Sequence, residues 1–270
     1  ASTTVTSSTR ATTTTPATAA GTATLASIAA QIPSSNTIVF VFYAVPTVAS
    51  LVPNNGKVSG NTRVTVVGTN FLDYGAPFCL FGGTRVAATY NSATIVYCNS
   101  PSGSLGAVVV EVTMNNADFT TNARTYTYGN DVTVSSVAPT FGSILGGYPV
   151  TVNGANFVNT GTNVCSFNST IVTAVYVSAT RVICTAPVRA VGFYVVEASN
   201  NNIDFSASVR QFEYISAAQV TSLNPPLGPI TPATTVTIVG SNFRSGASLR
   251  VNFGGSVITP VFVISFQLTV

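Results

Sequence analysis

The chain has no histidine, few charges and no apolar run long enough to cross a bilayer, and each lack closes off a class of function. Without histidine, the commonest general base and metal ligand are missing. Of the seven acidic residues, Glu111 and Glu197 share one position of an internal repeat, and Asp118 and Asp204 share another. Such recurrence is expected of a structural role, such as a turn side chain bonding its own backbone, rather than of a catalytic pair assembled once. No serine sits in a nucleophile elbow, and the pairs in "FGG" and "LGG" come without a P-loop lysine. We therefore expect no enzymatic activity, no cofactor and no metal site. The ten basic residues, Arg10, Lys57 and Arg63 among them, are scattered singly and leave no electrostatic footprint for nucleic acid. The longest apolar run, Ile38 to Val45, is strand-sized against the roughly 20 residues a spanning helix needs, so no membrane insertion is expected. Charged residues make up 6% of the chain, against roughly 25% in ordinary soluble domains. Thr, Ser and Asn, or attached glycans, must keep such a surface wet.

What is present is Val, Thr, Phe and Tyr in short runs broken by Gly, Pro and Asn, without a 3.6-residue period. That is an all-β pattern, and 46% hydrophobic content is ample for packed cores. The first residues differ: "ASTTVTSSTRATTTTPATAA" is too polar and small-sided to build a core and reads as flexible or O-glycosylated. Residues 1–12 are taken as a Ser/Thr-rich tail, with Thr3, Thr4, Thr6, Ser7, Ser8, Thr9 and Thr12 as candidate O-glycan acceptors.

Beyond this tail the chain repeats itself. One copy contains "PTVASLVPNNGKVSGNTRVTVVGTNF", "FCLFGG" and "RTYTY", a second "VTVSSVAPTFGSILGGYPVTVNGANF", "VCSFNS" and "RQFEY", and a third opens "VTSLNPPLGPITPATTVTIVGSNF" and continues "VNFGG". The Pro-x-x-Gly entries (Pro53 to Gly56, Pro139 to Gly142, Pro225 to Gly228), the "VTVVGTNF", "VTVNGANF" and "VTIVGSNF" strands, the "C-x-F" strand and the "C-x-x-P" turn resemble the IPT/TIG family of immunoglobulin-like domains. The resemblance implies tandem β-sandwiches: residues 44–129 and 130–216 as complete domains and 217–270 as the opening half of a third. The glycines of "GTNF", "GANF" and "GSNF" are placed where a strand bends, with the following Phe plugging the core.

The four cysteines fall at one pair of repeat positions, Cys79 with Cys98 and Cys165 with Cys184, at the same separation in each copy. Two intradomain disulfides are expected, and with them a location outside the reducing cytosol, extracellular or at the cell surface. Zinc is the competing reading of four cysteines, although no CxxC pair exists; buried free thiols are the other. One N-glycosylation sequon occurs, Asn168-Ser169-Thr170, in the turn after "VCSF". Tyr126, Tyr128 and Tyr214 could form a sugar-stacking platform, but they alternate along a closing strand where cross-strand packing is the usual use.

The third copy stops at "SFQLTV", so its last two strands are absent, and Val251 stands where the other copies have Cys79 and Cys165. The next residue after Val270 is taken as its second cysteine position. Conversely, Pro16, Gly21 and Tyr43 reproduce the spacing of Pro101, Gly106 and Tyr128 and of Pro187, Gly192 and Tyr214. Residues 13–43 thus read as the closing half of a domain without its opening half. The expectation is a split domain completed by strand addition. Ile38, Val39, Phe40, Val41, Phe42 and Tyr43 are the donor, and Val251, Phe253, Phe262, Ile264, Phe266 and Leu268 the acceptor. With donor and acceptor held two domains apart on a rod-like chain, pairing between molecules is easier than within one. The partner is then the chain itself, in a head-to-tail homopolymer with covalent glycans: a secreted structural fibre. Two alternatives stand beside it. One is a window of a longer covalent array in a receptor or adhesin, which broken half-domains at both ends would also give; the other is a carbohydrate-binding accessory module. A Rel-type DNA-binding role would need basic loops that are lacking.

Overall fold

The computed structural model describes residues 3–7, 10–13, 19–25, 28–29, 32–33, 38–73, 75, 77–230, 234–245 and 249–269. Among them every regular element is a β-strand. The chain divides into two compact units, residues 1–129 and 130–270.

In the first unit, eight strands lie in the order Thr47–Val52, Arg63–Thr69, Ile95–Asn99, Thr84–Ser92, Phe78–Phe81, Gly106–Thr113, Arg124–Gly129, Asn55–Lys57. The nine-residue strand Thr84–Ser92 is the hinge of the sandwich. Its first half pairs with Phe78–Phe81 and its second half with Ile95–Asn99. Strand Arg63–Thr69 shows why the layers close: Val64, Val66 and Gly68 face inward and Arg63 and Thr69 outward, the period of two that a half-buried strand requires. Val48, Val64, Val66, Phe71, Phe81, Val96, Val110, Val112, Tyr126 and Tyr128 fill the core. The short strand Asn55–Lys57 runs parallel to the closing strand and caps the sheet.

The second unit begins with the same topology, Thr133–Ala138, Pro149–Ala155, Arg181–Thr185, Thr170–Ser178, Val164–Phe167, Gly192–Ser199, Gln211–Ile215, Phe141–Ser143. Its core is built from Val150, Val152, Phe157, Phe167, Val182, Val196, Phe212 and Tyr214. Both disulfides form, Cys79–Cys98 and Cys165–Cys184, with Cα atoms 6.4 and 6.3 Å apart. This settles the cysteines against zinc and free thiols.

A local device recurs three times. A Cβ on Gly68, Gly154 or Gly240 would stand 1.9 Å from the carbonyl oxygen of Thr47, Thr133 or Gln219, so only glycine lets the first strand cross here. Asn70, Asn156 and Asn242 follow in the left-handed region, at φ 59, 66 and 60°. Their amides donate to the carbonyls of Val45 (2.9 Å), Asp131 (2.8 Å) and Ala217 (3.1 Å). Phe71, Phe157 and Phe243 then turn into the core, as the motif predicts. The X-Pro bonds at Pro53, Pro139 and Pro225 are all cis.

The third domain is different. Gln219–Asn224, Thr237–Ser241, Gln267–Thr269 and Val261–Ile264 make one four-stranded sheet, and Val251–Phe253 with Ser256–Ile258 a separate hairpin. Its core is Ile238, Phe243 and Leu268, with Leu249, Val251 and Phe262 partly covered. At the other end, Thr3–Ser7 pairs with Arg10–Thr13, Gly21–Leu25 with Ile38–Phe42, and Ile28–Ala29 with Ile32–Pro33. The tail expected to be flexible is thus a paired hairpin over residues 3–7 and 10–13: alternating Thr and Val have high strand propensity even where they cannot build a core. Thr3, Thr4, Thr6 and Ser7 lie on its first strand and Thr12 on its second, whereas Ser8 and Thr9 fall outside the described residues.

Candidate functional site

In both complete domains the closing strand carries two buried aromatics on its inner face, in edge-to-face contact. Tyr126 and Tyr128 have ring centroids 5.1 Å apart at 78°, and Phe212 and Tyr214 5.0 Å apart at 69°. Each pair packs on one Phe of the opening half: Phe81 lies 5.3 Å from Tyr126, and Phe167 lies 6.0 Å from Phe212 and 6.4 Å from Tyr214. Such aromatic packing adds about 1 kcal/mol per pair beyond area burial. The tyrosines are therefore core residues and not a sugar platform. Burial raises the pKa of the Tyr128 hydroxyl to about 12, with Tyr126 adding to it, and that hydroxyl donates to the Pro101 carbonyl at 2.9 Å. Burial raises Tyr214 further, and Tyr148 more mildly.

The N-terminal hairpin carries the same pair without its Phe. Phe40 and Phe42 stand 4.9 Å apart at 61° on one strand, and that strand and its partner Gly21–Leu25 have no other strand beside them among the described residues. Gly21 lies opposite Phe42, as Gly106 lies opposite Tyr128 and Gly192 opposite Tyr214. This corrects the register read from Pro16, Gly21 and Tyr43 by one residue: the counterpart of Tyr128 and Tyr214 is Phe42. Tyr43 belongs instead to the next domain, where it is partly buried against the core containing Val48 and Tyr126. Burial and the nearby Asp118 carboxylate raise its pKa. Counting from Phe42, Phe40 and Phe42 stand level with Tyr126 and Tyr128 and with Phe212 and Tyr214, and Val39 and Val41 level with Thr125 and Thr127 and with Gln211 and Glu213.

The third domain carries the Phe without its pair. Phe253, the counterpart of Phe81 and Phe167, is 47% exposed, against 3% and 0% for those two. Val220 and Leu223 are exposed as well, although Val48, Leu51, Val134 and Val137 at the same places are buried, on strands that pack against the closing halves of their domains. Leu227 lies in the segment whose counterparts, Asn55–Lys57 and Phe141–Ser143, pair with a closing strand, and Ile230 one residue beyond it, where Val58 and Ile144 donate their N–H to the end of that strand; both are exposed. Of the other acceptor positions, Ile264 and Phe266 are exposed, Val251 and Phe262 are partly covered, and Leu268 is already buried in the domain's own small core. Leu268 pairs with Ile238 as Val96 pairs with Val66. That puts the second cysteine position at Val270 itself, not one residue later, although Val270 lies outside the described residues. Valines replace both halves of the disulfide.

Of the recurring acids, Glu111 and Glu197 lie on strands, whereas Asp118 and Asp204 occupy turns with a partner that sequence reasoning missed. Asn115 and Asn201 accept the backbone N–H of Asp118 and Asp204 (2.9 and 2.8 Å), and their amides donate to those aspartates' carboxylates at 2.7 Å. The Asn makes the Asx turn and the Asp braces it. Glu197 is partly desolvated on its strand, which raises its pKa.

Two covalently stapled sandwiches, an open one and an unpaired hairpin define a tandem immunoglobulin-like chain. The IPT/TIG domain profile matches residues 46–128, 133–214 and 218–270, and the chain belongs to that family. No curated protein matches it. Among solved structures it is similar to the extracellular region of plexin A4 (18% identity, TM-score 0.48, covering 83% of this chain and 20% of that one). It is also similar to the mixed-linkage glucan utilization protein SGBP-B of Bacteroides ovatus (15%, TM-score 0.28, 75% and 56%). A third likeness is to invasin, a bacterial integrin-binding protein (12%, TM-score 0.27, 93% and 59%). The chain thus spans a fifth of the plexin region and a little over half of the other two.

Proposed function

We propose that this chain is a secreted structural protein whose copies join head to tail, the hairpin Gly21–Phe42 of one molecule closing the open sandwich 217–270 of the next. The reading is carried by one observation: the hairpin holds an aromatic pair lacking its Phe, and the open sandwich holds the Phe lacking its pair. Magnitudes favour a stable joint. Burying Phe40 and Phe42 alone contributes on the order of 5 kcal/mol, which association costs of about 4–15 kcal/mol would absorb. Covering Val220, Leu223, Leu227, Ile230 and Phe253 as well roughly triples that gain, and strand addition supplies main-chain hydrogen bonds on top. The contact is heterologous, so repetition gives a filament unless its rotation closes a ring. The two disulfides fit an extracellular or cell-surface setting.

Electron microscopy and sedimentation of the purified protein, with and without residues 1–43, test this. Filaments are expected only with the segment present, and monomers in both samples would sink the reading. The intact mass of the natural polypeptide decides between this reading and a covalent array: a chain continuing through further repeats would place the closing strands in the same molecule and overturn it.

A further inference from the structure

The hairpin turns that join Phe78–Phe81 to Thr84–Ser92, Val164–Phe167 to Thr170–Ser178, and Val251–Phe253 to Ser256–Ile258 are equivalent two-residue turns, pairing Phe81 with Thr84, Phe167 with Thr170 and Phe253 with Ser256. Both central residues must take positive φ. Domains 1 and 3 use Gly82–Gly83 (53 and 96°) and Gly254–Gly255 (58 and 95°), for which that costs nothing. Domain 2 uses Asn168 and Ser169 at 48 and 70°, a conformation that serine adopts at a cost. The replacement creates the chain's one Asn-x-Thr sequon. Asn168 is exposed. Its Oδ1 accepts the Val195 N–H at 3.3 Å, and its own N–H donates to the Val195 carbonyl at 2.9 Å, which fixes the side chain and leaves Nδ2 without a hydrogen bond among the described residues. Arg189 holds the turn from the other side, donating to the carbonyls of Phe167 (2.7 Å) and Asn168 (3.3 Å) and to Thr170 Oγ1.

A second feature also distinguishes domain 2. Two residues before Val195, about 7 Å along the strand, Phe193 presents a 63% exposed ring. Its counterpart in domain 1, opposite Thr127 as Phe193 is opposite Glu213, is Ala107. Domain 2 thus has an acceptor amide where the other repeats have glycine, and an unpartnered aromatic one sugar's reach away.

We propose that Asn168 carries an N-linked glycan whose first sugar lies over Phe193. Nδ2 loses a proton and bonds to the anomeric carbon of a lipid-phosphate-activated sugar, whose bond to the phosphate oxygen breaks with the electron pair leaving on the phosphate. The apolar face of the attached sugar then covers the ring. This stands apart from the strand-complementation reading, since neither residue belongs to the hairpin 21–42 or to domain 3.

Peptide mass spectrometry of the chain from its natural source tests the first half: a sugar-bearing peptide at Asn168 is expected, and unmodified Asn168 overturns the proposal. Ser169→Gly, which keeps the sequon and relieves the turn, retains the glycan, whereas Asn168→Gln loses it. Melting of Phe193→Ala before and after enzymatic deglycosylation tests the second half. Deglycosylation lowers the Tm of the parent chain by a few degrees and leaves that of Phe193→Ala unchanged; an equal drop in both overturns the contact.

Discussion

A single carbonyl decides what residue can stand at the strand crossing of each repeat. At Gly154 a methyl group would meet the backbone oxygen of Thr133, which cannot rotate away as a side chain could, so the first strand would have to leave its register. Gly154→Ala is expected to destabilise domain 2 by about 3 kcal/mol, the upper range for overpacking. Gly161, at φ 75° with open space around its Cα, provides the control in the same domain. Gly161→Ala carries only the left-handed backbone cost of about 1 kcal/mol, and denaturant midpoints of the two variants separate these terms. The buried tyrosines lead to a pH prediction. Tyr128 ionises near 10 when unfolded and at about 12 when folded. The folded state thus holds its proton longer, and the stability this contributes is present below pH 10 and is lost as pH rises from 10 through 12. Thermal melts of the chain should fall steeply across that window, with tyrosinate absorbance rising in step. Tyr128→Phe should blunt the fall while costing about 1 kcal/mol at neutral pH through the lost bond to Pro101.

At the scale of elements, the disulfide staples the two layers of each complete sandwich. Closing the 19-residue separation of Cys79 and Cys98 contributes roughly 3 kcal/mol in the chain-entropy account. Cys79→Ser with Cys98→Ser should destabilise domain 1 by that amount, measured by denaturant unfolding, whereas reductant should leave the third domain, with Val251 and no cysteine, untouched. Such features were legible in the sequence because they are local and recur: the glycine crossing, the plug Phe, the cysteine pairs and the all-β pattern each repeat at fixed spacing. The register of the N-terminal hairpin was not. In "IVFVFY" both faces of the strand are apolar, so alternation does not say which residues point inward, and a one-residue slip exchanges the faces. Tyr43 was the tempting landmark because the other closing strands end in tyrosine. Phe42 fills that place in the structure, and Tyr43 is claimed by the following core. The Asx turns were half legible: recurrence marked Asp118 and Asp204 as structural, but Asn115 and Asn201, which recur three residues earlier, stand in runs of asparagine that do not say which one makes the turn.

For the whole molecule, the corrected register makes the proposed assembly sharper than a general claim of stickiness. If the hairpin enters a neighbour as the closing strands enter domains 1 and 2, Phe40 and Phe42 face the core beside Phe253, while Val39 and Val41 face outward where Thr125 and Thr127 do in domain 1. Phe40→Ala with Phe42→Ala should then abolish filaments, since each deletion removes a buried aromatic worth about 3 kcal/mol or more. Val39→Thr with Val41→Thr should leave filament length unchanged in electron micrographs. A general hydrophobic association would weaken with either pair, and a one-residue slip would reverse the two results. The joint is apolar in a chain with 6% charged residues, so molar salt, which screens ion pairs within a few ångströms, should not dissolve the filaments. Denaturant, which solvates apolar surface and peptide groups alike, should release monomers whose domains 1 and 2 remain stapled by their disulfides.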